Sequence, residues 1–527
     1  MKKFINLILF IVLILGMFSC NYTDFKPIPK DVQIALDSAK QNKKELLKVI
    51  SHYRKNPKDS LKLRAAYFLI ANMPGHSYVK TKLVDTSGNV VDFNILDYPD
   101  YNAMRNARDS LKKKIGEFDW KRDTIIYDLY AITSDYLIKN IDLAFEAWNY
   151  PWSKILNFKE FCEYVLPYRG SNEPLENWRE YFMKKYKPVV DSIKNCKDPS
   201  KVAAIINNDL KKWFKFDARY YFHPEDQGLS SMLKYKMGRC EDMTNLAIYA
   251  MRSIGVPVMS DYVPYWPNTG NNHAWNATLD ANKKVVIFMG AEDNPGEYKL
   301  HNKKAKVYRK TFAHQKNALV HIAPSYEKIP AWLGFDRYID VTKDYTPVTD
   351  VNIKLTETKP DSVNFAYLSV FNDAEWRAIH WGKITDDTSA TFTDMGKDIV
   401  YMPTYYTQKS KLIPAGYPFL LDTLNNIHYF IPDTNNLITL TAYSTTRRSI
   451  YKTTDKISKA TFNAGKEYTL YYWNKEWKEI GKQTARKDKP LVFKKVPANA
   501  LYWLVEKDGR KEERIFSLDK NGNQLWW

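Results

Sequence analysis

The sequence predicts a multidomain α+β protein with a helical N-terminal region, a mixed helix-and-strand core and two C-terminal β-sandwich-like domains. Apolar residues recur at helical spacing through residues 31–200, and residues 201–345 change to a helix followed by strands. From about Val348 onward apolar and polar residues alternate with period two, which predicts β domains at 346–455 and 456–527. A chain of 527 residues is long enough for several domains of about 100–200 residues each.

The composition is that of a folded protein. Apolar residues make up 44% of the chain and charged residues 26%, which excludes a disordered chain, a collagen-like repeat and a multi-span membrane protein. The 79 Lys and Arg residues outnumber the 60 Asp and Glu residues, giving a net charge of +19. This excess favours anionic surfaces such as lipid head groups or acidic glycans, or is spread over all faces of a lysine-rich surface. No nucleic-acid-binding signature is present, so nucleic acid is not expected as a partner.

Residues 1–19 are predicted to be a lipoprotein signal peptide. Two lysines precede an apolar run at 7–18, which is too short to span a bilayer but suits a signal peptide. The run ends at Ser19-Cys20, which resembles a bacterial lipobox. The resemblance implies that Cys20 is lipidated and that residues 20–30 form a tether to the membrane of the bacterial cell envelope. Asn21 favours the outer membrane, and an ordinary cleaved signal peptide with a chance cysteine is the alternative.

The N-terminal region is predicted to be helical and contains two cysteines that are candidates for a disulfide. The apolar pattern predicts helices at 32–53, 61–73, 125–148, 158–165 and 178–194. If Cys20 carries lipid, three cysteines remain in a compartment that permits disulfides. Cys162 and Cys196 are then the candidate disulfide, and Cys240 is the free thiol.

The C-terminal region is rich in aromatic residues on its predicted strands. Strands are expected at 351–355, 364–370, 391–393, 399–406 and 438–443. The aromatic runs at 405–406, 471–473 and 526–527 offer faces that could stack on sugars, so a glycan contact is one interpretation. The alternative is that strands simply favour aromatic residues.

A cysteine stands at the predicted start of an apolar-faced helix. Gly238 precedes Cys240, and Gly255 and Pro257 end the helix. A thiol in the first helical turn lies beside backbone N–H groups that have no partner within the helix. These groups and the positive helix end are expected to stabilise a thiolate and to hold an oxyanion.

A histidine begins a later strand. A strand at 256–263 and a Pro/Asn/Gly loop lead to His273, and Trp275 lies on the same strand face because it is two residues further on. A cysteine at a helix start and a histidine on a strand can form the pair that nucleophilic catalysis needs.

These motifs resemble those of the transglutaminase-like superfamily. They are G-R-C-E-D, I-G-V-P-V and H-A-W, and they lie within residues 238–293. The resemblance implies a papain-like core in residues 201–345 and a Cys-His-acid triad, with Cys240 as nucleophile and His273 as base and acid. It further implies a thioester intermediate on a peptide or protein amide substrate, with hydrolysis favoured over cross-linking.

The acid of the triad departs from the family pattern, so it is predicted from strand register. A loop rich in turn-forming residues joins the histidine strand to the next one, which predicts a hairpin. If Leu279 opposes Lys284, Glu292 lies diagonal to His273. If the loop is one residue longer, Asp293 takes that face instead. Glu292 is therefore the first candidate and Asp293 the second.

Two classes of function follow. The first is a cysteine-dependent amidase, peptidase or acyltransferase anchored to a membrane. The second is a catalytically inert lipoprotein that serves as a scaffold or binds glycans or peptides through its aromatic-rich β domains. The nine histidines show no zinc-site spacing, so neither a metal nor a cofactor is expected, and His314 and His321 are expected to be structural.

Overall fold

The computed structural model describes residues 27–386, 388–446, 460–509 and 512–527. The predicted signal peptide, Cys20 and the predicted boundary at 455/456 lie outside these residues. The protein is a mixed α and β structure, with 31% of its residues helical and 30% in strands. No helix in the described part of the chain has both the length and the apolar character needed to cross a lipid bilayer.

The N-terminal part is a helical assembly with one small sheet. Apolar faces of its helices meet in a buried core that includes Leu36, Ile50, Leu69 and Ile141. Strands β1 (Ser77–Asp85) and β2 (Phe118–Tyr127) form an antiparallel pair beside it. The helices are α1 (Lys30–Ser38), α2 (Lys43–Arg54), α3 (Ser60–Ala71), α4 (Tyr101–Ile115), α5 (Asp128–Ala131), α6 (Ser134–Ala147) and α7 (Phe158–Tyr164).

The helix predicted at 125–148 is partly wrong. Its first residues belong to strand β2, and the continuous helix is α6, which begins at Ser134. The Thr133 hydroxyl accepts a hydrogen bond from the Tyr136 N–H at 3.3 Å and so caps the start of α6.

The central part contains the predicted cysteine helix and the histidine strand. Its helices are α8 (Trp178–Ser192), α9 (Pro199–Trp213), α10 (Leu229–Tyr235), α11 (Cys240–Arg252) and α12 (Leu319–Ile322). Strands β3 (Lys215–Phe216) and β4 (Met237–Gly238) form a short parallel pair. The main sheet has the order β7-β6-β5-β8-β9, built from β5 (Val258–Val263), β6 (His273–Leu279), β7 (Val285–Phe288), β8 (Tyr308–Lys310) and β9 (Tyr338–Asp340).

Helix α11 packs between the main sheet and helices α8 and α9. One buried core joins Leu246 and Ala247 of α11 to Trp275 of β6 and to Phe182 and Ile206 of the two helices. Other sheet residues, namely Met259, Ala277 and Leu279, belong to the core of the N-terminal helices. Because both neighbouring cores are densely buried, the start of α11 is held in a fixed position relative to the sheet.

Two groups of antiparallel strands follow. The first is an eight-stranded sheet of order β10-β13-β12-β11-β14-β16-β17 in which β15 pairs with β14, and the second is a five-stranded sheet of order β20-β19-β22-β23-β24. The strands are β10 (Val348–Lys354), β11 (Phe365–Asn372), β12 (Glu375–Thr385), β13 (Ser389–Gly396), β14 (Ile399–Tyr406), β15 (Leu412–Pro414), β16 (Phe419–Leu421), β17 (Ile427–Tyr429), β18 (Asp433–Ala442), β19 (Glu467–Asn474), β20 (Glu476–Thr484), β21 (Leu491–Ala498), β22 (Tyr502–Glu506), β23 (Ile515–Leu518) and β24 (Gln524–Trp526).

Strand β18 connects the two predicted β domains. It precedes residue 455, yet it pairs with β21 and shares a buried core with β19 and β22 through Leu440, Leu470 and Leu504. Two of the seven aromatic residues proposed to face sugars are buried instead. Tyr405 is 0% and Trp473 is 6% exposed, and the Trp473 ring packs 5.0 Å from that of Trp477.

The predicted disulfide between Cys162 and Cys196 is not formed, and both thiols are free. Cys162 is buried in the core of the N-terminal helices, whereas Cys196 packs against the core around α11. The two side chains therefore belong to different hydrophobic cores. Burial also raises the pKa of the Cys162 thiol to about 12.

Candidate active site

The start of α11 is built by the residues on either side of Cys240. A side chain at Gly238 would meet the Asp242 Cβ at 2.6 Å and the Gln227 Nε2 at 2.7 Å, so this position has room only for glycine. The Asp242 carboxylate accepts hydrogen bonds from the backbone N–H of Arg239 at 2.9 Å and of Gln227 at 3.0 Å. Asp242 thus caps the helix and fixes Cys240 at its first position.

Two ion pairs flank the cysteine. Arg239 pairs with Asp226 at 2.6 Å, and Glu241 pairs with Lys310 of β8. The second pair ties the first turn of α11 to the far side of the main sheet. In the motif G-R-C-E-D every residue other than the cysteine therefore has an observable structural task.

The Cys240 thiol is nearly enclosed and uncharged at neutral pH. Cys240 as a whole is 8% exposed to solvent. Burial raises the pKa of the Cys240 thiol and the Glu241 charge adds to this, while the Ala274 backbone N–H and Arg239 act in the opposite direction. The expected thiolate is thus not favoured in the resting structure, because burial outweighs the groups at the helix start.

His273 begins β6, as predicted, and lies opposite Val263 of β5. The ring packs between Trp266 and Trp275, with centroids 6.4 and 5.8 Å away. Its Nε2 lies 2.6 Å from the Tyr298 hydroxyl. Burial lowers the pKa of His273, and the Glu241 charge opposes this, so the imidazole is neutral at neutral pH.

The structure brings the cysteine helix and the histidine strand together. Cys240 shares one buried core with Trp275 of the His273 strand, and the backbone N–H of Ala274, the residue after His273, acts to lower the pKa of the Cys240 thiol. Burial raises the pKa of Tyr298, the residue that contacts the His273 ring, and the charges of Glu292, of a Cys240 thiolate and of Asp293 raise it further. Cys240, His273 and Tyr298 therefore form one group of side chains, with the thiol and imidazole both neutral.

The predicted contact between an acid and His273 is not made. Among the described residues, neither Glu292 nor Asp293 forms an ion pair with the ring within 4.0 Å, and the partner of Nε2 is Tyr298. The hairpin forms, but Leu279 opposes Val285 rather than Lys284, so the strands have the register of the longer loop. With this register, the argument from strand pairing favours Asp293 over Glu292 as the acid beside His273.

The register argument fails because β7 ends too early. The strand stops at Phe288, and Met289 and Asp293 then close a tight turn in which Ala291 has a φ of +58°. A side chain at Gly290 would meet the Met243 carbonyl oxygen at 2.3 Å, so the turn lies directly against α11. The turn therefore moves the two carboxylates away from the positions that they would occupy if β7 continued opposite His273.

Two buried asparagines hold this turn in place, and sequence reasoning did not find them. The Asn207 carboxamide donates to the carbonyls of Met289 at 3.1 Å and of Asp293 at 2.9 Å, and it accepts from the Ala291 N–H at 2.7 Å. The Asn276 Oδ1 accepts from Gly290 at 3.2 Å. Asn276 follows His273 by three residues, but Asn207 lies on α9, so only the fold reveals its task.

A separate cluster has the residue types of a metal site. His314 Nδ1 and His321 Nε2 each lie 2.6 Å from the same Oδ2 of Asp336. Arg337, which can only donate, lies 3.0 Å from the His314 Nε2. The His314 Nε2 must therefore accept this hydrogen bond, so the ring proton is on Nδ1. A metal ion bound at Nδ1 would need a lone pair on that nitrogen instead. The cluster is better explained by hydrogen bonds that hold the loop together, which agrees with the structural role expected for both histidines.

The fold and this site define a helix-and-sheet domain that carries a Cys-His pair at the start of a buried helix. Residues 187–287 match the family model of the transglutaminase-like superfamily, so the chain contains a domain of that superfamily. The matched range includes both Cys240 and His273. No curated protein matches the chain.

Iodoacetamide is expected to label Cys240 slowly at pH 6 and faster only as the pH rises toward and beyond the usual thiol pKa. A raised thiol pKa keeps the thiolate scarce, and a lowered imidazole pKa leaves no positive charge to stabilise it. The rate should be followed by peptide-resolved mass spectrometry. The urea-unfolded chain is the control, because a free thiol has a pKa of about 8.5. Fast labelling that is independent of pH between about 5 and 7 would instead show a preformed thiolate–imidazolium pair.

Proposed function

We propose that this protein is a membrane-anchored lipoprotein of the bacterial cell envelope whose transglutaminase-like domain acts on amide or peptide bonds through a Cys240 thioester. The observation that carries the proposal is that Cys240 and Trp275 of the His273 strand share one buried core, inside the matched domain. The chemistry is that of a thiol and a neutral imidazole, rather than of a preformed ion pair.

In the first half of the reaction His273 acts as a general base. It accepts the thiol proton as the Cys240 sulfur attacks the carbonyl carbon of the amide. Backbone N–H groups in the first turn of α11 are available to the developing oxyanion, because first-turn groups have no partner within a helix. The C–N bond then breaks, His273 returns the proton to the leaving amine, and a thioester remains on Cys240.

In the second half a nucleophile attacks the thioester. Water gives a carboxylate and the free thiol, with the proton passing through His273, whereas a lysine amine gives a cross-link. We favour hydrolysis, which is what the resemblance to bacterial domains of this type implies. The substrate partner is then a peptide or a protein side-chain amide.

Anchoring through Cys20 is part of the same proposal and would hold the domain at the outer membrane. The net charge of +19 supports a location beside anionic head groups or acidic glycans. A catalytically inert scaffold is the second candidate, and the 8% exposure of Cys240 favours it. For a glycan-binding role the burial of Tyr405 and Trp473 leaves the partly exposed aromatic residues as the available faces.

The proposed function is tested by trapping the acyl-enzyme. With p-nitrophenyl acetate, an activated ester, the protein is expected to gain one acetyl group on Cys240 and to lose it again on a slower time scale. Peptide mass spectrometry identifies the site, and the buried Cys162 serves as an internal control thiol that should stay unmodified. Adding cadaverine distinguishes the fates of the thioester, since an acetylated amine appears only if transfer competes with hydrolysis. If Cys240 is acetylated no faster than Cys162, the scaffold is the correct function.

A further inference from the structure

A cavity of about 580 Å³ is lined in part by Lys310, the residue that pairs with Glu241. Its walls come from β1 and β2, from the loop after α7, from β5 and β8, and from residues 331–338. Neither Cys240 nor His273 is among the described residues that line it. Its volume is in the range of cavities that hold small-molecule ligands.

The charged groups that line this cavity are mostly positive. Glu163 is the acidic residue of the lining, and the cationic residues are Arg122, Arg169, Arg252, Lys310 and Arg337. Three of the cations have carboxylate partners outside the lining: Asp128 pairs with Arg169, Glu241 with Lys310 and Asp336 with Arg337.

Two guanidinium groups are not neutralised by a hydrogen-bonded carboxylate. Arg252 donates to the Val258 carbonyl at 2.7 and 3.0 Å and to the Arg169 carbonyl at 3.1 Å. Arg122 is an exposed residue of β2, and no hydrogen-bond acceptor for it is found within the described ranges. The charges of Glu163 and Glu173 act on Arg252 and oppose the effect of its burial on its pKa, so the unopposed positive charge at the cavity wall is that of Arg122.

Three further side chains of the lining have buried polar atoms without a partner. They are the Ser260 hydroxyl, the Arg337 Nε and the Tyr338 hydroxyl. Leaving a buried donor or acceptor unpaired costs about 1–3 kcal/mol, so such groups usually have a task. Their concentration around one cavity indicates that a polar ligand completes it.

The rest of the wall is aromatic. Tyr127, Phe312, Trp332 and Phe335 all line the cavity, and Phe335 is 68% exposed. The flat aromatic rings can pack against the apolar part of a ligand, and the guanidinium groups beside them can bind its anionic group.

We propose that this cavity is a second ligand site, which binds a small organic anion with a carboxylate or phosphate head and an apolar or aromatic body. The head lies toward Arg122 and Arg252, and the body lies against the aromatic wall. This site goes beyond the thiol chemistry and does not depend on it. Because Lys310 lines the cavity and also pairs with Glu241, the site adjoins the first turn of α11.

The matched probes are N-acetyl-tyrosine, which has a carboxylate, and N-acetyl-tyrosinamide, which is the same molecule without the charge. Calorimetry of the full chain is expected to show the carboxylate binding about tenfold more tightly than the amide. Inorganic phosphate is the third probe. It should compete with N-acetyl-tyrosine if the head group site accepts either anion, and its failure to compete would assign the head to carboxylates.

Arg122→Ala is expected to weaken binding of the carboxylate about tenfold and to leave binding of the amide unchanged, because the uncharged amide does not use the positive charge that the substitution removes. Lys121→Ala is the control, since Lys121 is an exposed neighbour on the same strand that does not line the cavity. Equal affinities for the carboxylate and the amide, equal effects of the two substitutions, or no binding of any probe would each overturn the proposal. Unchanged thermal unfolding of both variants would show that the comparison concerns folded protein.

Discussion

Replacing His273 with alanine is expected to reduce the rate at which Cys240 is acylated by about 10²–10⁴-fold. The thiol is buried and its pKa is raised, so it cannot supply a thiolate without a base. The neutral imidazole at the start of β6 is the base that we propose. Alanine leaves the strand pairing with β5 intact, since that pairing uses backbone groups.

The loss should be read from single-turnover acylation by an activated ester across a range of pH. In the variant the rate should follow the titration of the thiol alone, whereas the intact protein should also show the titration of the imidazole. If the variant keeps the rate and pH profile of the intact protein, His273 is not the base and the assignment of the pair is wrong.

The residue that orients the ring can be identified in the same assay. Tyr298→Phe removes one neutral hydrogen bond and is expected to lower the rate about 2- to 10-fold. Tyr221→Phe is the matched control, because Tyr221 lies near Cys240 but does not bond to the ring. Glu292→Gln and Asp293→Asn should have smaller effects than Tyr298→Phe. A hundredfold loss in either would instead restore the predicted acid as the third member of the site.

A phenol in place of a carboxylate changes the electrostatics of the pair. Burial raises the pKa of Tyr298, so its hydroxyl is neutral and does not stabilise an imidazolium ion as a carboxylate would. The observed direction of the His273 pKa, which is lowered, agrees with this. Among the described residues, no carboxylate hydrogen-bonds to the His273 ring, so the imidazolium ion would lack this source of charge stabilisation.

The positions of Cys240 at a helix start and of His273 at a strand start could be predicted because their determinants are local. Gly238 and Asp242 fix the helix start within two residues of Cys240, and Gly255, with a φ of +75°, follows its end. The His273 strand is a short alternating segment bounded by turn residues. Such signals need no knowledge of which distant segments are neighbours.

The partner of His273 could not be predicted because it depends on where the chain turns after β7. The register argument assumed that the strand continues to residue 293, whereas the bonds from Asn207 and the close approach of Gly290 to α11 bend it after Phe288. Tyr298 reaches the ring from the segment beyond this bend. The partly wrong prediction of a helix at 125–148 has the same kind of cause. Its first residues belong to β2, which pairs with β1, and the partners of these residues lie about fifty positions earlier in the chain.

The second large effect is expected at the N-terminus, where Cys20→Ala should abolish lipidation. In a lipoprotein this residue is the only attachment point for the acyl chains, and cleavage before it requires the lipid. The variant should therefore accumulate as an uncleaved precursor that takes up no labelled palmitate and keeps residues 1–19. The lipid matters because the apolar run at 7–18 would span only about 18 Å as a helix, against roughly 30 Å of hydrocarbon.

Two or more acyl chains on one cysteine are enough for stable anchoring, whereas the apolar run alone is not a membrane span. The matched control is Cys162→Ala, which alters another cysteine of the same chain and should be processed and labelled normally. The readouts are palmitate incorporation and the mass of the N-terminal peptide, both of which are all-or-none. If Cys20→Ala is processed to the same N-terminal peptide as the unaltered protein, residues 1–19 are an ordinary signal peptide and the lipid anchor at Cys20 is wrong.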